Sequence, residues 1–323
     1  CGKKLREEKN VRTDFLIILA SGAVSAALCA AVIPLLRKIK AGQYILGYVK
    51  EHESKGGTPT MGGVAFMLAI ALVSIFFGIY ADKRAAVCIT LALAYMVVGF
   101  LDDFIKVRFK RNLGLKAYQK IVFQLVIALI AGFFCYFNKL TTINIPFTHI
   151  SADLGVFFIP VAALVFIAAV NSVNLTDGLD GLAASTSFSY LLCFGVLLLL
   201  QSGGEEMRLL CLCAAGALGG YLVFNTNKAS VFMGDTGSLS LGGLIAAVSV
   251  FSGNLLYIAI IGIMFVLSSI SVILQVIYYK KTKRRIFLMA PLHHHFQMKG
   301  YSESKITFVY SAITAAMGLL CLC

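Results

Sequence analysis

Apolar residues occur in ten long runs along the chain, and short polar segments separate them. Each run is close to the roughly 20 residues with which a helix crosses a bilayer, and backbone groups in lipid must bond within their own segment. The runs lie at 15–36, 62–80, 85–101, 121–137, 154–170, 182–200, 209–224, 237–252, 255–279 and 306–323. This pattern predicts an all-α, polytopic integral membrane protein with about ten transmembrane helices.

The composition supports a membrane protein. Of 323 residues, 59% are hydrophobic and 13% are charged, whereas soluble domains carry about 25% charged residues. No Pro/Gly-rich linker and no charge block divides the chain, so residues 1–323 are predicted to form a single domain. Residues 1–14 are charged and are expected to be a flexible N-terminal tail.

The distribution of basic residues predicts the topology. Ten spans place both termini on one side of the bilayer and five loops, 37–61, 102–120, 171–181, 225–236 and 280–305, on the other. These five loops contain 19 of the 28 Lys and Arg residues. Since basic residues concentrate in cytoplasmic loops, the five loops are predicted to be cytoplasmic and both termini extracytoplasmic. The five Lys and Arg residues of the N-terminal tail oppose this assignment.

The polar clusters of the chain fall in the same five loops. They read HESKGGTPTMGG, FLDDFIKVRFKRNLGLKAYQK, NSVNLTDGLDG, FNTNKASVFMGDTGS and APLHHHFQMKG. The loops of the opposite side read as ordinary solvated connectors. This one-sided distribution indicates a membrane-surface active site. The net charge of +13 fits contact with anionic lipid or an anionic substrate. A nucleic-acid partner is disfavoured, because the chain has no basic domain apart from the spans.

LDDF places Asp102 and Asp103 at the end of the third span. Neighbouring residues on a helix point about 100° apart, so the two carboxylates need not share a ligand. A solvated helix end is the alternative, although carboxylates at a helix C-terminus oppose its macrodipole. Lys106 follows Asp102 at i+4, a spacing that allows an ion pair. Lys116 and Lys120 repeat that spacing.

MGDTGS places Asp235 between two glycines just before the eighth span. Flanking glycines let the backbone approach a ligand, and N–H groups at a helix start favour phosphate. A carboxylate is also a hard oxygen ligand of the kind Mg²⁺ prefers. A plain N-cap is the alternative.

NSVNLTDGLDG spaces Asn171, Asn174, Asp177 and Asp180 three residues apart. Such residues share one face of a helix, but Gly178 and Gly181 favour a turn between the fifth and sixth spans. An EF-hand is excluded because the stretch lacks the ligand spacing and the bidentate Glu of that loop.

PLHHHF contains three consecutive histidines that follow the basic run KKTKRR. Consecutive histidines lack the i, i+4 spacing of a helical zinc site. Donors to phosphate oxygens fit this segment better than a metal site. For the basic run itself, anchoring at the cytoplasmic membrane surface is the preferred interpretation.

Taken together, GTPTMGG, DDFIK, NLTDGLDGLA, VFMGDTGS and PLHHHF occur in the order typical of one family. The chain resembles the polyprenyl-phosphate N-acetylhexosamine-1-phosphate transferase superfamily over nearly its whole length. PLHHHF favours the muramoyl-pentapeptide branch over the GlcNAc-1-phosphate transferases. Each motif is modest alone, and their shared order makes the resemblance specific.

The resemblance implies roles for individual residues. Asp102, Asp103 and Asp235 match the acidic catalytic centre, with Asp235 as the Mg²⁺ ligand. Lys106 and Lys120 match lysines near phosphates, with Lys116 as the alternative to Lys120. The remaining matches lie at nucleotide-binding or histidine-loop positions: Lys55, Asn174, Asp177, Gly178, Leu179, Asp180, Asn225, Phe232, His293, His294 and His295.

The resemblance also implies a reaction and its partners. UDP-MurNAc-pentapeptide and undecaprenyl phosphate would give lipid I and UMP, with Mg²⁺, at the cytoplasmic face of the bacterial plasma membrane. A homodimer in the lipid bilayer is expected from the family alone. Direct attack by the lipid phosphate and a covalent two-step route both stay open. A transporter is the rival class, disfavoured because the polar residues gather at one membrane face rather than at the midplane.

Overall fold

A computed structural model describes residues 2–38, 57–109, 113–201 and 204–322, with side chains from Arg12 onward. In these ranges the chain forms twelve α-helices and one short hairpin. The helices are α1 Gly2–Lys38, α2 Gly63–Phe76, α3 Lys83–Arg108, α4 Ala117–Phe137, α5 Phe158–Thr176, α6 Leu182–Leu200, α7 Glu205–Asn225, α8 Gly234–Phe251, α9 Tyr257–Ile261, α10 Ile263–Thr282, α11 Leu292–Met298 and α12 Glu303–Leu320. Strands β1 Thr142–Asn144 and β2 Ser151–Asp153 pair antiparallel, with Ile143 opposite Ala152.

The predicted class is confirmed: the chain is an all-α, polytopic membrane protein. Eight helices in the described ranges are long and apolar enough to cross a membrane: α1, α3, α4, α5, α6, α7, α8 and α10. The other two of the ten predicted spans are also helical. Helix α2 has only 14 residues, and the 18-residue α12 carries Glu303 and Lys305 in its first turn.

Two sequence expectations differ from the structure. The predicted span 255–279 is divided into α9 and α10 at Gly262, whose Cβ position would contact the carbonyl oxygen of Ile258. Residues 2–14, expected as a flexible tail, belong to the continuous helix α1. At Asp14 this helix forms a partly buried ion pair with Arg208 of α7. The ion pair gives this end of α1 a fixed partner.

Helix α8 is the central helix of the described fold. All of its residues from Thr236 to Phe251 are buried, and it packs against α3 and α5. A helix buried on all sides needs small residues where neighbours approach. Gly243 lies against the ring of Tyr95, and Gly242 lies against the backbone of Val170. The glycines of α8 therefore let α3 and α5 approach it closely.

Helices α1 and α7 also pack through glycine. A Cβ on Gly220 would overlap the carbonyl oxygen of Gly22, and a Cβ on Gly216 would overlap Ser21. Small residues spaced four apart are the usual means by which membrane helices bring their backbones together. The α1–α7 contact thus depends on the absence of side chains at Gly216 and Gly220.

We expect Gly220→Ala to destabilise the protein by about 1–3 kcal/mol, because the new methyl group meets backbone that cannot move aside. The measurement is the melting temperature (Tm) of purified protein in detergent. Gly219→Ala is the matched control, since the nearest atom to its Cβ would be Phe188 Cε2 at 3.6 Å, an ordinary contact. Equal Tm values for the two variants would contradict the assigned packing.

Candidate active site

One end of each of four helices lies at a common location. The C-terminal parts of α3 and α5 meet the N-terminal parts of α4 and α8, and each helix contributes polar side chains. Asp102, Asp103 and Lys106 come from α3, and Lys120 comes from α4. Asn174 comes from α5, and Asp235 comes from α8.

Three carboxylates form the centre of this site. One oxygen from each of Asp102, Asp103 and Asp235 lies within 4.8 Å of the others. The ammonium group of Lys106 lies among them, 2.6 Å from Asp102 Oδ2, 3.7 Å from Asp103 Oδ1 and 2.9 Å from Asp235 Oδ2. The predicted i, i+4 pair of Asp102 and Lys106 is therefore present. Asp102 and Asp103, although adjacent, do face one common position.

Asp235 is held by groups from three other helices. Its Oδ2 accepts from Lys106 Nζ and from Lys120 Nζ, each at 2.9 Å. Its Oδ1 accepts from Asn174 Nδ2 at 2.7 Å, and the same amide donates to Ser238 Oγ at 2.8 Å. Of the two candidate lysines, the structure places Lys120 in the site, whereas Lys116 is exposed at the start of α4.

The other two carboxylates are fixed by backbone donors. Asp103 Oδ2 accepts from the N–H of Thr236 at 2.9 Å and from its hydroxyl at 2.7 Å. Asp103 therefore lies at the N-terminus of α8, where the helix dipole favours negative charge. Asp102 Oδ1 accepts from the N–H of Leu115 at 2.8 Å. A Cβ on Gly114 would overlap Asp102, so this loop needs glycine to approach the carboxylate.

The stretch 171–181 divides into a helical part and a turn. Helix α5 continues through Thr176, so Asn171 and Asn174 are helical and share one face. The predicted turn between the fifth and sixth spans begins at Asp177. Burial, together with the nearby charges of Asp235, Asp103 and Asp180, raises the pKa of Asp177 well above the ordinary value for aspartate. Burial and repulsion from these carboxylates therefore favour the neutral form of Asp177.

Several residues matched to a nucleotide site hold the loops around it. Asp180 Oδ2 accepts from Ala229 N at 3.0 Å, and Asn225 Oδ1 accepts from Gly181 N at 3.2 Å. The backbone of Phe232 pairs with Pro59 and Gly62, both at 2.8 Å. Leu179 is buried in a small apolar cluster with Leu182, Met264, Ile306 and Tyr310. Lys55 lies outside the described residues.

The three histidines lie on α11 and face different surroundings. His293 is fully buried, and neither of its ring nitrogens has a hydrogen-bond partner within the described part of the chain. His294 Nδ1 bonds Gln297 Oε1 at 2.9 Å, and His295 Nδ1 accepts from Leu288 N at 3.1 Å. A Cβ on Gly178 would overlap His293 Nε2. Gly178 thus lets the 177–181 turn lie against His293.

Burial, with a smaller contribution from His294, lowers the pKa of His293 to about 3. The ring is therefore uncharged near neutral pH, so His293 does not bind phosphate as a cation. A neutral imidazole can still donate one hydrogen bond and accept another.

Thr236, Ser238 and Gln124 contribute to the site but were not singled out from the sequence. Thr236 and Ser238 stand inside the MGDTGS motif, in which Asp235 is the residue predicted as a ligand. Gln124 interrupts the apolar run 121–137 with an amide. A polar residue in a spanning helix points to an interior partner, and that signal could have found it.

The donor set fits a hard divalent cation. Three carboxylates converge on one position, and the Lys106 ammonium group there shows that a cation suits it. The three negative charges exceed the two positive charges of Lys106 and Lys120 by one. Carboxylate oxygens are the ligands that Mg²⁺ prefers, so the residues present are suited to holding such an ion together with an anionic substrate.

Comparison with known proteins identifies the class that this fold and site define. The family described as Glycosyl transferase family 4 matches residues 85–253. That range includes Asp102, Asp103, Lys120, Asn174 and Asp235. The protein is thus a membrane-embedded transferase of this family.

Relatives across nearly the whole chain narrow the class. A phospho-N-acetylmuramoyl-pentapeptide-transferase of Clostridium botulinum (strain Alaska E43 / Type E3) is 39% identical over 94% of this chain and 94% of its own length. The protein of that name from Desulfitobacterium hafniense is 40% identical over 95% and 96%. The one from Caldanaerobacter subterraneus is 42% identical over 87% and 89%. The chain belongs to the family of phospho-N-acetylmuramoyl-pentapeptide transferases.

His293 gives the stability of the protein a pH dependence. Its pKa is about 3 in the folded chain, and an unfolded histidine titrates near about 6.5. The folded state therefore binds fewer protons between these values. The stabilisation is fully present above the unfolded pKa and is lost as the pH falls toward the folded pKa.

As the pH falls from about 7.5 to about 5, we expect the free energy of unfolding to decrease by about 2 kcal/mol, because His293 takes up a proton in the unfolded chain but not in the folded one. The measurement is Tm in detergent across this range. His293→Gln should show a smaller loss, and the exposed His149→Gln should follow the unmodified protein. An unchanged acid loss in His293→Gln would contradict the assignment.

Proposed function

We propose that the protein transfers phospho-MurNAc-pentapeptide from UDP-MurNAc-pentapeptide to undecaprenyl phosphate, giving lipid I and UMP. The observation that carries this proposal is the convergence of Asp102, Asp103, Asp235, Lys106 and Lys120 at one end of the spanning helices. The relatives' names supply the sugar phosphate that is transferred. The carrier lipid and the products follow from the same reaction.

The reaction brings several negative charges together, and the site contains groups that can offset them. Lys106 and Lys120 present ammonium groups to phosphate oxygens. We propose Mg²⁺ as the cofactor, held by the three carboxylates with Asp235 as the principal ligand. When bound, the ion supplies charge stabilisation for the departing UMP phosphate.

The chemistry is an attack by the lipid phosphate. An oxygen of undecaprenyl phosphate forms a bond to the phosphorus attached to the sugar, and the bond from that phosphorus to UMP breaks with the electron pair leaving on UMP. A phosphate monoester has a second pKa of about 6, so the nucleophile is mostly ionised already. A strong base is unnecessary, and Asp102 or Asp103 positions the phosphate or accepts its last proton.

A double displacement is the rival route, in which an aspartate forms a covalent phospho-sugar intermediate. In the structure, Asp103 is held by Thr236 and Asp102 by Leu115. Carboxylates anchored in this way are better suited to positioning the lipid phosphate than to attacking the sugar phosphate as nucleophiles. Incubation with labelled UDP-MurNAc-pentapeptide without lipid, followed by a search for labelled protein, distinguishes the routes. A stable covalent adduct would refute direct attack.

The location of the site supports both substrates. The polar groups lie at helix ends, which a water-soluble nucleotide can reach from the cytoplasm. Exposed apolar residues run along α4 and α10, where a polyprenyl chain can lie in the lipid bilayer. We assign the active site to the cytoplasmic face of the bacterial plasma membrane, with both termini extracytoplasmic. Homodimerisation stays a prediction.

We expect purified protein with undecaprenyl phosphate and Mg²⁺ to release UMP from UDP-MurNAc-pentapeptide. UDP-GlcNAc in the same assay should give little or none, which separates this specificity from GlcNAc-1-phosphate transfer. UMP release is followed by chromatography. A transporter would release no UMP from either nucleotide sugar, and that result would refute the proposed function.

We expect Asp235→Asn to lower the turnover number by at least about a hundredfold, because it removes a charge that holds both lysines and the proposed ion. The dependence of the remaining activity on Mg²⁺ concentration should also weaken. Asp153→Asn is the control, since Asp153 is exposed on β2. Near-normal turnover in Asp235→Asn would refute the assignment.

A further inference from the structure

Three polar residues, two buried and one half-buried, link α3, α4 and α5 next to the carboxylate centre. Tyr95 OH of α3 donates to the carbonyl oxygen of Gln124 on α4 at 3.1 Å. Asn171 of α5 donates from Nδ2 to Gln124 Oε1 at 2.7 Å, and Gln124 Nε2 lies 3.5 Å from Asn171 Oδ1. Tyr95 and Gln124 are fully buried. We name this set the Tyr95–Gln124–Asn171 link.

The link lies about one helical turn away from Lys120 and Asn174, two of the residues that hold Asp235. Gln124 follows Lys120 by four positions on α4, and Asn171 precedes Asn174 by three positions on α5, so each pair shares a helix face. Lys120 bonds Asp235 Oδ2 at 2.9 Å and Asn174 bonds Oδ1 at 2.7 Å. The same two helices are therefore joined to each other at the link and to Asp235 at the site.

The link also reaches α3 and α8. Tyr95 precedes Asp102 by seven residues on α3, which is about 10 Å along a helix. Its ring packs against Gly243 of α8 and stacks with Phe166 of α5, with ring centroids 6.2 Å apart. All four helices that form the carboxylate centre thus meet at Tyr95 or at the amides bonded beside it.

Packing alone does not require amides at these positions. A buried amide inside a spanning helix must find a partner, whereas a similar apolar side chain needs none. An amide pair fixes direction and distance, because donor and acceptor must meet at about 2.9 Å. Helices held only by apolar contacts can slide along each other at lower cost. The pair therefore specifies the relative positions of α4 and α5.

We propose that Gln124 and Asn171 are positioning residues for the transfer reaction. Their amide pair, supported by Tyr95, sets α4 against α5 so that Lys120 and Asn174 meet the two oxygens of Asp235. The residues touch neither substrate nor the reacting atoms and act through Lys120 and Asn174. The turnover arm of the test rests on the proposed function, whereas the positioning itself does not.

The main experiment compares two partly buried Asn–Gln amide pairs of the same chemistry. Asn171→Leu removes one member of the link. Asn254→Leu is the matched control, because Asn254 likewise pairs with a glutamine amide and donates to Gln201 Oε1 at 2.8 Å, away from the carboxylate centre. Turnover number (kcat), KM for UDP-MurNAc-pentapeptide and Tm are measured for each.

We expect both variants to lose thermal stability, but only Asn171→Leu to lose kcat, by about tenfold, with KM changed less than about twofold. The control should keep kcat within about twofold of the unmodified protein. Equal kcat values at equal Tm loss would overturn the proposal. A change in KM with kcat preserved would also overturn it, because it would indicate substrate binding instead.

Two milder changes decide the matter if Asn171→Leu does not fold. Tyr95→Phe removes one hydroxyl and keeps the ring, and we expect kcat to fall about threefold. Gln124→Asn combined with Asn171→Gln keeps the total length of the amide pair. This double variant should recover most of the kcat that Gln124→Asn alone loses. Unchanged kcat in Tyr95→Phe, together with no recovery in the double variant, would overturn the proposal.

A thermal cycle tests the positioning without turnover. Gln124→Met and Lys120→Met are measured singly and together. If Gln124 fixes the place of Lys120, the Tm loss of the double variant differs from the sum of the single losses. Additive losses would overturn the proposal. Absence of UMP release by the unmodified protein would instead refute the proposed function, and the thermal cycle would still decide the role of the link.

Discussion

Mutual repulsion among three closely spaced carboxylates, two of them buried, is the constraint on which this structure depends. At about 5 Å and an effective dielectric constant near 20, each pair of like charges costs about 3 kcal/mol. Lys106 and Lys120 offset much of that cost. Hydrogen bonds from the N–H of Thr236 and the amide of Asn174 offset a further part of it. These partners come from α3, α4, α5 and α8. The four helices must therefore end together for the carboxylates to be stable.

Close approach of backbones makes that meeting possible. A Cβ on Gly99 would overlap the carbonyl oxygen of Asp235, and one on Gly63 would overlap Gly237. These positions place α2 and α3 directly against the first turn of α8. Since Asp103 also bonds the first turn of α8 through Thr236, the same contacts that pack the helices orient the carboxylates. Fold stability and site geometry are thus linked.

The sequence predicted what depends on spacing along the chain. Hydrophobic length identified the spans, and the i, i+4 spacing identified the Asp102–Lys106 pair. The break at Gly262 was missed because an apolar run has the same composition whether it bends or not. Lys120 could not be separated from Lys116, since both begin α4 and only the position of Asp235 distinguishes them. Leu179 lies in a motif, and its burial depends on α10 and α12.

The placement of charge at helix ends suits the proposed pair of substrates, one water-soluble and one a lipid. Carboxylates at the centre of a bilayer would need complete internal compensation. At the helix ends, Asp235 keeps partial exposure and Lys106 keeps more, with side chains 16% and 31% accessible. Water and phosphate groups can reach these atoms, while the helices beside them face lipid. Buried partners on one side and open access on the other suit the proposed transfer of a sugar phosphate to a lipid carrier.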